Sequence, residues 1–72
     1  MMIDMVMKTL QIAYRDSLPV KIIYEGKEDI TQRVIVIKSL HDDSVVAYCR
    51  LRRRVSTFKY ENILAAELLA AK

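Results

Sequence analysis

The amino-acid sequence predicts an α+β fold: an N-terminal helix, a small antiparallel β-barrel of four or five strands, and a short C-terminal helix. A change of period supports this prediction. Apolar residues recur at helical spacing before Pro19 and alternate with a period of two after it. The predicted strands are short and joined by polar turns, and closing the sheet into a barrel would remove its exposed edges.

The length and composition indicate one small domain that spans residues 1–72. The chain is 53% hydrophobic and contains one Gly, one Pro and one Cys. This composition excludes a disordered tail, and no apolar run reaches the roughly 20 residues that a membrane-spanning helix needs. The early Asp4 does not fit a signal peptide, and a lone cysteine cannot form an internal disulfide. We therefore expect a cytoplasmic protein that has no association with a membrane.

The N-terminal helix is predicted to be amphipathic and to end before Pro19, because proline lacks an amide hydrogen and disfavours helical geometry in the residue before it. Asp4 suits the N-terminal end of a helix, where it complements exposed amide groups. The apolar stripe predicts packing against the sheet through Ile3, Val6, Leu10 and Tyr14.

Four strands follow in the prediction. The first begins at Val20 and leads to a turn at Glu25-Gly26-Lys27, where the glycine is available for a positive φ. The second covers residues 30–38 and is apolar on both faces at its centre, which predicts a covered or strongly bent strand. The third and fourth cover residues 45–52 and 54–60. Residues 61–72 are rich in Ala and Leu, and this predicts the C-terminal helix.

Positive charge is concentrated in the last third of the chain. Residues 1–48 contain six Lys or Arg against seven Asp or Glu, whereas residues 49–72 contain six against two. Arg50, Arg52, Arg53 and Arg54 fall within five positions. Such a basic patch indicates an anionic partner. The alternative is a solvated loop that keeps the edge of the sheet soluble.

Strand alternation places Arg50 and Arg52 on one face with Tyr48. Guanidinium groups make paired contacts with phosphate oxygens, and an aromatic ring beside them can stack on a base. Arg53 and Arg54 would extend this patch around the end of the hairpin.

Arg33 is the other candidate in the sheet, because it lies on the predicted face of Ile35 and Ile37. An arginine on a buried face must be paired, here with Glu28 or Asp29, or must point into a pocket.

No catalytic or metal-binding constellation is predicted. Cys49 shares a strand face with Ala47 and Leu51, which indicates a buried and unreactive thiol. The run His41-Asp42-Asp43 lacks the convergent ligands that a metal site needs. We therefore expect neither an enzyme nor a bound cofactor.

Several segments of the sequence resemble the WYL domain, a small Sm-like barrel found in bacterial transcriptional regulators and in accessory proteins of defence systems. They are LPVKIIY, TQRVIV, VVAYCRLR and VSTFKYENI, in the order of that family. Three features depart from its pattern. The Trp-Tyr-Leu triplet falls on residues 43–45, an Arg of the hairpin falls on Ser56, and the usual loop Gly falls near Arg53.

Residues 1–19 supply only one helix, so we expect a stand-alone domain of this type without a helix-turn-helix. The resemblance implies a regulatory module that binds a nucleic acid fragment or a nucleotide-like anionic effector. By motif position, it places ligand contacts on Tyr24, Arg33, Tyr48, Arg50 and Arg52. The alternative function is a protein-interaction or dimerisation module whose basic hairpin docks on an acidic partner. The apolar residues Met2, Met5 and Ile12 lie off the main helical stripe and would serve that function.

Overall fold

The computed structural model describes the backbone of residues 2–69 and the side chains of residues 5–69. The described residues form one α-helix and five strands, so the α+β prediction is confirmed. The elements in chain order are α1 (Met2–Asp16), β1 (Val20–Glu25), β2 (Ile30–Leu40), β3 (Ser44–Cys49), β4 (Arg54–Lys59), a 3₁₀ helix (Tyr60–Asn62) and β5 (Ile63–Leu68).

The five strands form one antiparallel sheet in the order β4-β3-β2-β1-β5. Strands β1 to β4 follow one another as an up-and-down meander, and β5 returns to pair with β1. In such a meander alternate turns share an end of the sheet. The β1–β2 turn and the β3–β4 turn therefore lie towards one end, which we call the turn end, and the β2–β3 turn lies at the other. The β3–β4 turn lies beside the middle of β2, because Cys49 pairs with Ile35.

The sheet is strongly bent. Two strands separate β1 from β4, so in a flat sheet these strands would lie about 14 Å apart. Yet the rings of Tyr24 on β1 and Phe58 on β4 meet edge to face, with centroids 5.1 Å apart. The bend wraps the inner face around a core that includes Ile22, Ile35 and Val45, each with 0% exposure.

The predicted closed barrel is not formed, because β4 and β5 each pair with one strand only. Helix α1 covers the open side of the bent sheet and packs against β5, β2 and the 3₁₀ helix. The core is thus buried without further closure.

Helix α1 packs through Val6 and Leu10, as predicted, and through Ala13. Tyr14 was predicted to pack as well, but this residue is 46% exposed and lines a surface groove with Leu40, because Ala13 takes the inward position. Ile3 lies outside the described side chains.

The helix ends in a Schellman motif. Ser17 adopts a φ of 55°, its N–H donates to Tyr14 O (3.4 Å), and the Leu18 N–H donates to Ala13 O (2.9 Å). The chain therefore leaves the helix two residues before Pro19.

The predicted C-terminal helix is wrong for the described part of residues 61–72. A 3₁₀ turn at Tyr60–Asn62 leads into β5, and residues 70–72 lie outside the description. The meander leaves one edge of β1 unpaired. Pairing of β5 with that edge satisfies backbone groups and buries Ile63, which outweighs the helical propensity of Ala and Leu.

The predicted end of β3 and the predicted conformation of Gly26 are also wrong. Strand β3 ends at Cys49 rather than at residue 52. Gly26 has no positive φ; its N–H donates to Asp29 O (2.8 Å), and a Cβ at this position would lie 3.3 Å from that oxygen. None of the helices in the described part of the chain is long and apolar enough to cross a membrane.

Candidate anion-binding site

The four clustered arginines surround the β3–β4 turn. The Arg50 N–H still donates to Val34 O of β2 (3.0 Å), which continues the sheet by one residue. The turn is then closed by a bond from the Arg53 N–H to Cys49 O (2.7 Å), and Arg53 adopts a left-handed φ of 59°. Strand β4 begins at Arg54, directly opposite Cys49. We call Arg50, Arg52, Arg53 and Arg54 together the arginine hairpin.

All four side chains of the arginine hairpin are exposed. The two described salt bridges lie elsewhere, between Arg15 and Asp16 and between Lys21 and Glu67. No described carboxylate therefore lies within 4.0 Å of a guanidinium group of the hairpin. These cations are left available for a partner.

A shallow pocket of about 360 Å³ lies between the two turns at the turn end. We call it the turn-end pocket. Arg52 reaches it from the arginine hairpin, and Arg33 reaches it from β2. The remaining lining residues come from β1, the β1–β2 turn and the start of β2: Tyr24, Gly26, Lys27, Glu28, Asp29 and Thr31.

Arg33 is fixed from two sides. Its Nε–H donates to Thr31 Oγ1 at 3.1 Å, and Nη1 contacts Cys49 Sγ at 3.9 Å. The predicted partners Glu28 and Asp29 make neither contact. A guanidinium has five N–H donors, so three remain for other partners. Arg33 is half-buried on the inner face, opposite Ile22, and lines the pocket there.

Cys49 lies beneath this site and has 0% exposure, which confirms the predicted burial. Burial raises the pKa of its thiol. Hydrogen bonds with the backbone amides of Arg52 and Leu51 and the guanidinium of Arg33 lower it by more, so the net pKa lies below the ordinary value. The thiol thus belongs to the same electropositive environment as the pocket.

The structure separates Tyr48 from Arg52. Tyr48 pairs with Val36 and Val55 and lies on the outer face, half-buried, whereas Arg52 lines the pocket on the inner side. The predicted shared face required β3 to reach residue 52. Because the chain turns after Cys49, Arg52 is redirected towards Arg33 and Tyr24.

Lys27 lines the pocket but is not among the site residues that the sequence predicts. A signal was present, because a meander brings the β1–β2 and β3–β4 turns to the same end of the sheet. Lys27 could therefore have been placed near Arg52.

The opposite end of the sheet has another character. A hollow of about 490 Å³ there is lined by Met7, Asp42, Asp43, Lys59, Tyr60 and Glu61. Its three carboxylates make it a poor site for an anion despite its larger volume. In the described part of the chain, no three potential metal ligands converge.

No protein-family model matches the sequence, and no curated protein matches it. Among solved structures, the chain is similar to proteasome accessory factor B/C (PafBC) of Arthrobacter aurescens, with a TM-score of 0.80 and 17% sequence identity. The similarity covers 96% of this chain and 12% of that one, so this chain corresponds to about an eighth of PafBC. At this identity the likeness concerns the fold.

Proposed function

We propose that the chain is a WYL-like domain, related to Sm-like barrels, that acts as a non-catalytic regulatory module in the cytoplasm. It binds an anionic ligand, a nucleic acid fragment or a nucleotide-like effector, through the arginine hairpin and the turn-end pocket. One observation carries this proposal. Arg33 of strand β2 and Arg52 of the β3–β4 turn line one pocket together with Tyr24 and Lys27.

The electrostatics of the arginine hairpin support an anionic ligand. Neighbouring cations at the surface repel each other by an amount on the order of 1 kcal/mol per close pair. No described carboxylate offsets this cost within salt-bridge distance. A phosphate would do so, because its oxygens accept paired N–H bonds from guanidinium groups.

The position of the pocket also agrees with the resemblance. The segments LPVKIIY and TQRVIV supply the lining residues Tyr24 and Arg33, and VVAYCRLR supplies Arg52. The similarity of the fold to part of PafBC, over 96% of this chain, also supports the proposal.

A salt titration with a short fluorescent single-stranded oligonucleotide tests the proposal. Affinity should fall with salt, with a log–log slope of roughly −0.7 for each phosphate neutralised. Arg52→Ala and Arg50→Ala should each weaken binding, and each should make the slope shallower by about 0.7 because one phosphate fewer is neutralised. Lys8→Ala removes an exposed cation from α1 and should change neither quantity.

Absence of binding at low salt would contradict the proposal. So would equal decreases in affinity for Lys8→Ala and Arg52→Ala, because they would indicate attraction by net charge alone.

The second candidate function is protein interaction or dimerisation. The observation that favours it is an apolar groove between α1 and β5, lined by Met5, Val6, Thr9, Leu64, Ala65 and Ala66. Met5 is 72% exposed. Of the other two predicted contact residues, Ile12 is half-buried and Met2 lies outside the described side chains. A negative oligonucleotide titration would favour this function.

A further inference from the structure

We propose that the turn-end pocket selects a phosphate that is joined to a vicinal diol, so that it binds a ribonucleotide in preference to its deoxy counterpart. This inference rests on the proposed anion-binding function and specifies the class of ligand. Glu28 and Asp29 would accept hydrogen bonds from the ribose hydroxyls, while Arg33 and Arg52 hold the phosphate.

The pocket carries both signs of charge. Lys27, Arg33 and Arg52 share its lining with Glu28 and Asp29. None of these cations lies within 4.0 Å of a described carboxylate oxygen, so residues of opposite charge line one cavity without pairing across it. A plain phosphate would be attracted by one side and repelled by the other. A ligand with an anionic part and a hydrogen-donating part suits both.

The carboxylates belong to a compact turn. The bond from the Gly26 N–H to Asp29 O (2.8 Å) closes the four-residue loop that carries Glu28 and Asp29. The loop leaves little room, since a Cβ at Gly26 would lie only 3.3 Å from the same oxygen. The backbone that supports the acidic side of the pocket is therefore held in place.

The basic side is also positioned. Thr31 and Cys49 hold the Arg33 guanidinium through two of its N–H groups. The phosphate would thus meet one guanidinium, that of Arg33, whose position is set before binding, which lowers the entropic cost of association.

The chemistry of carboxylates explains the expected selectivity. An ionised carboxylate is an acceptor without a donor of its own, and the hydroxyls of a ribose are donors that it binds by charge-assisted hydrogen bonds. Acidic residues recognise the ribose of dinucleotides in the same way. A volume of about 360 Å³ is within the range of small-ligand sites.

The test compares AMP with dAMP, and ribose 5-phosphate with 2-deoxyribose 5-phosphate, by calorimetric titration of the protein at low salt. We expect the ribose compounds to bind about tenfold more tightly, which is the effect of one hydrogen bond to a charged group. The double variant Glu28→Gln/Asp29→Asn should abolish this preference. It should also bind inorganic phosphate and dAMP more tightly than wild type, because two negative charges are removed.

The control is Asp42→Asn, which removes an exposed carboxylate at the opposite end of the sheet and should keep the preference for ribose. Circular dichroism of each variant checks that it is folded. A further arm compares a DNA oligonucleotide with one that ends in a single 3′ ribonucleotide. Tighter binding of the latter identifies a nucleic acid end as a source of the diol. If both oligonucleotides bind equally and AMP binds more tightly than dAMP, the free nucleotide is the source.

Two results would overturn the inference and are distinguishable from each other. Equal binding of AMP and dAMP by wild type, with neither bound by Arg52→Ala, would refute selection of the diol and leave the anion site intact. No binding of any phosphate compound would refute both proposals.

Discussion

Tyr60 shows how one residue joins separate parts of this small chain. Its hydroxyl donates to His41 O (2.7 Å) and its N–H donates to Asp43 O (3.1 Å), so it ties the 3₁₀ helix to the β2–β3 turn. The residue is 8% exposed. Burial raises the pKa of the phenol, and the negative charges of Asp42 and Asp43 raise it further.

This raised pKa predicts a loss of stability at alkaline pH. The contribution of Tyr60 is fully present below its unfolded pKa of about 10 and is lost as pH rises through the folded pKa. Tyr60→Phe should lower the free energy of unfolding by about 1 kcal/mol at pH 7, through loss of the hydrogen bond. The difference from wild type should shrink above about pH 10.

Urea unfolding from pH 7 to pH 11 measures both effects, and comparison with wild type cancels the other groups that titrate there. Tyr14→Phe is the matched control, because this residue is 46% exposed and the change should leave the free energy of unfolding at pH 7 close to that of wild type. A constant difference between Tyr60→Phe and wild type across this range would contradict the prediction.

At the scale of elements, the β3–β4 turn contains a residue that its conformation does not favour. Arg53 adopts a φ of 59°, where the Cβ of any residue other than glycine is crowded. In the WYL domain, which the sequence resembles, a glycine is usual near this position. Arg53→Gly should raise the free energy of unfolding by about 0.5–1 kcal/mol, the strain relieved exceeding the added entropy of the unfolded chain.

Arg52→Gly removes the same charge one position earlier, where φ is not positive, and should lower the free energy of unfolding. Chemical denaturation of both variants measures the contrast. Equal changes in stability would mean that charge, and not backbone strain, decides the outcome.

Elements with local signals could be predicted from the sequence, and those set by distant pairing could not. The stripe of Val6 and Leu10 and the proline at position 19 predict α1 and its end. Strand β5 has no such signal, because Ala65 and Ala66 favour a helix and become a strand only where β1 offers a free edge. For the same reason, the sequence predicts Arg33 and Arg52 as candidates but not the pocket that joins them.

At the scale of the whole molecule, topology and bending produce the candidate site. The meander brings Lys27 and Arg52 to one end of the sheet, although they are 25 positions apart in the sequence. The bend then turns the inner face of β1 towards β4, so that Tyr24 borders the pocket and packs on Phe58. The bend is thus a condition for the site as well as for the core.

A double-mutant cycle tests the bend in solution. Phe58 is 2% exposed, and its ring meets that of Tyr24 at an interplanar angle of 86°. Tyr24→Leu and Phe58→Leu, alone and together, should give a coupling energy of about 0.5–1.5 kcal/mol in urea unfolding. Tyr24 and Tyr48 lie on opposite faces of the sheet, so the control cycle of Tyr24→Leu with Tyr48→Leu should be additive. If Tyr24 and Phe58 were also additive to within about 0.3 kcal/mol, the two strands would not meet across the core.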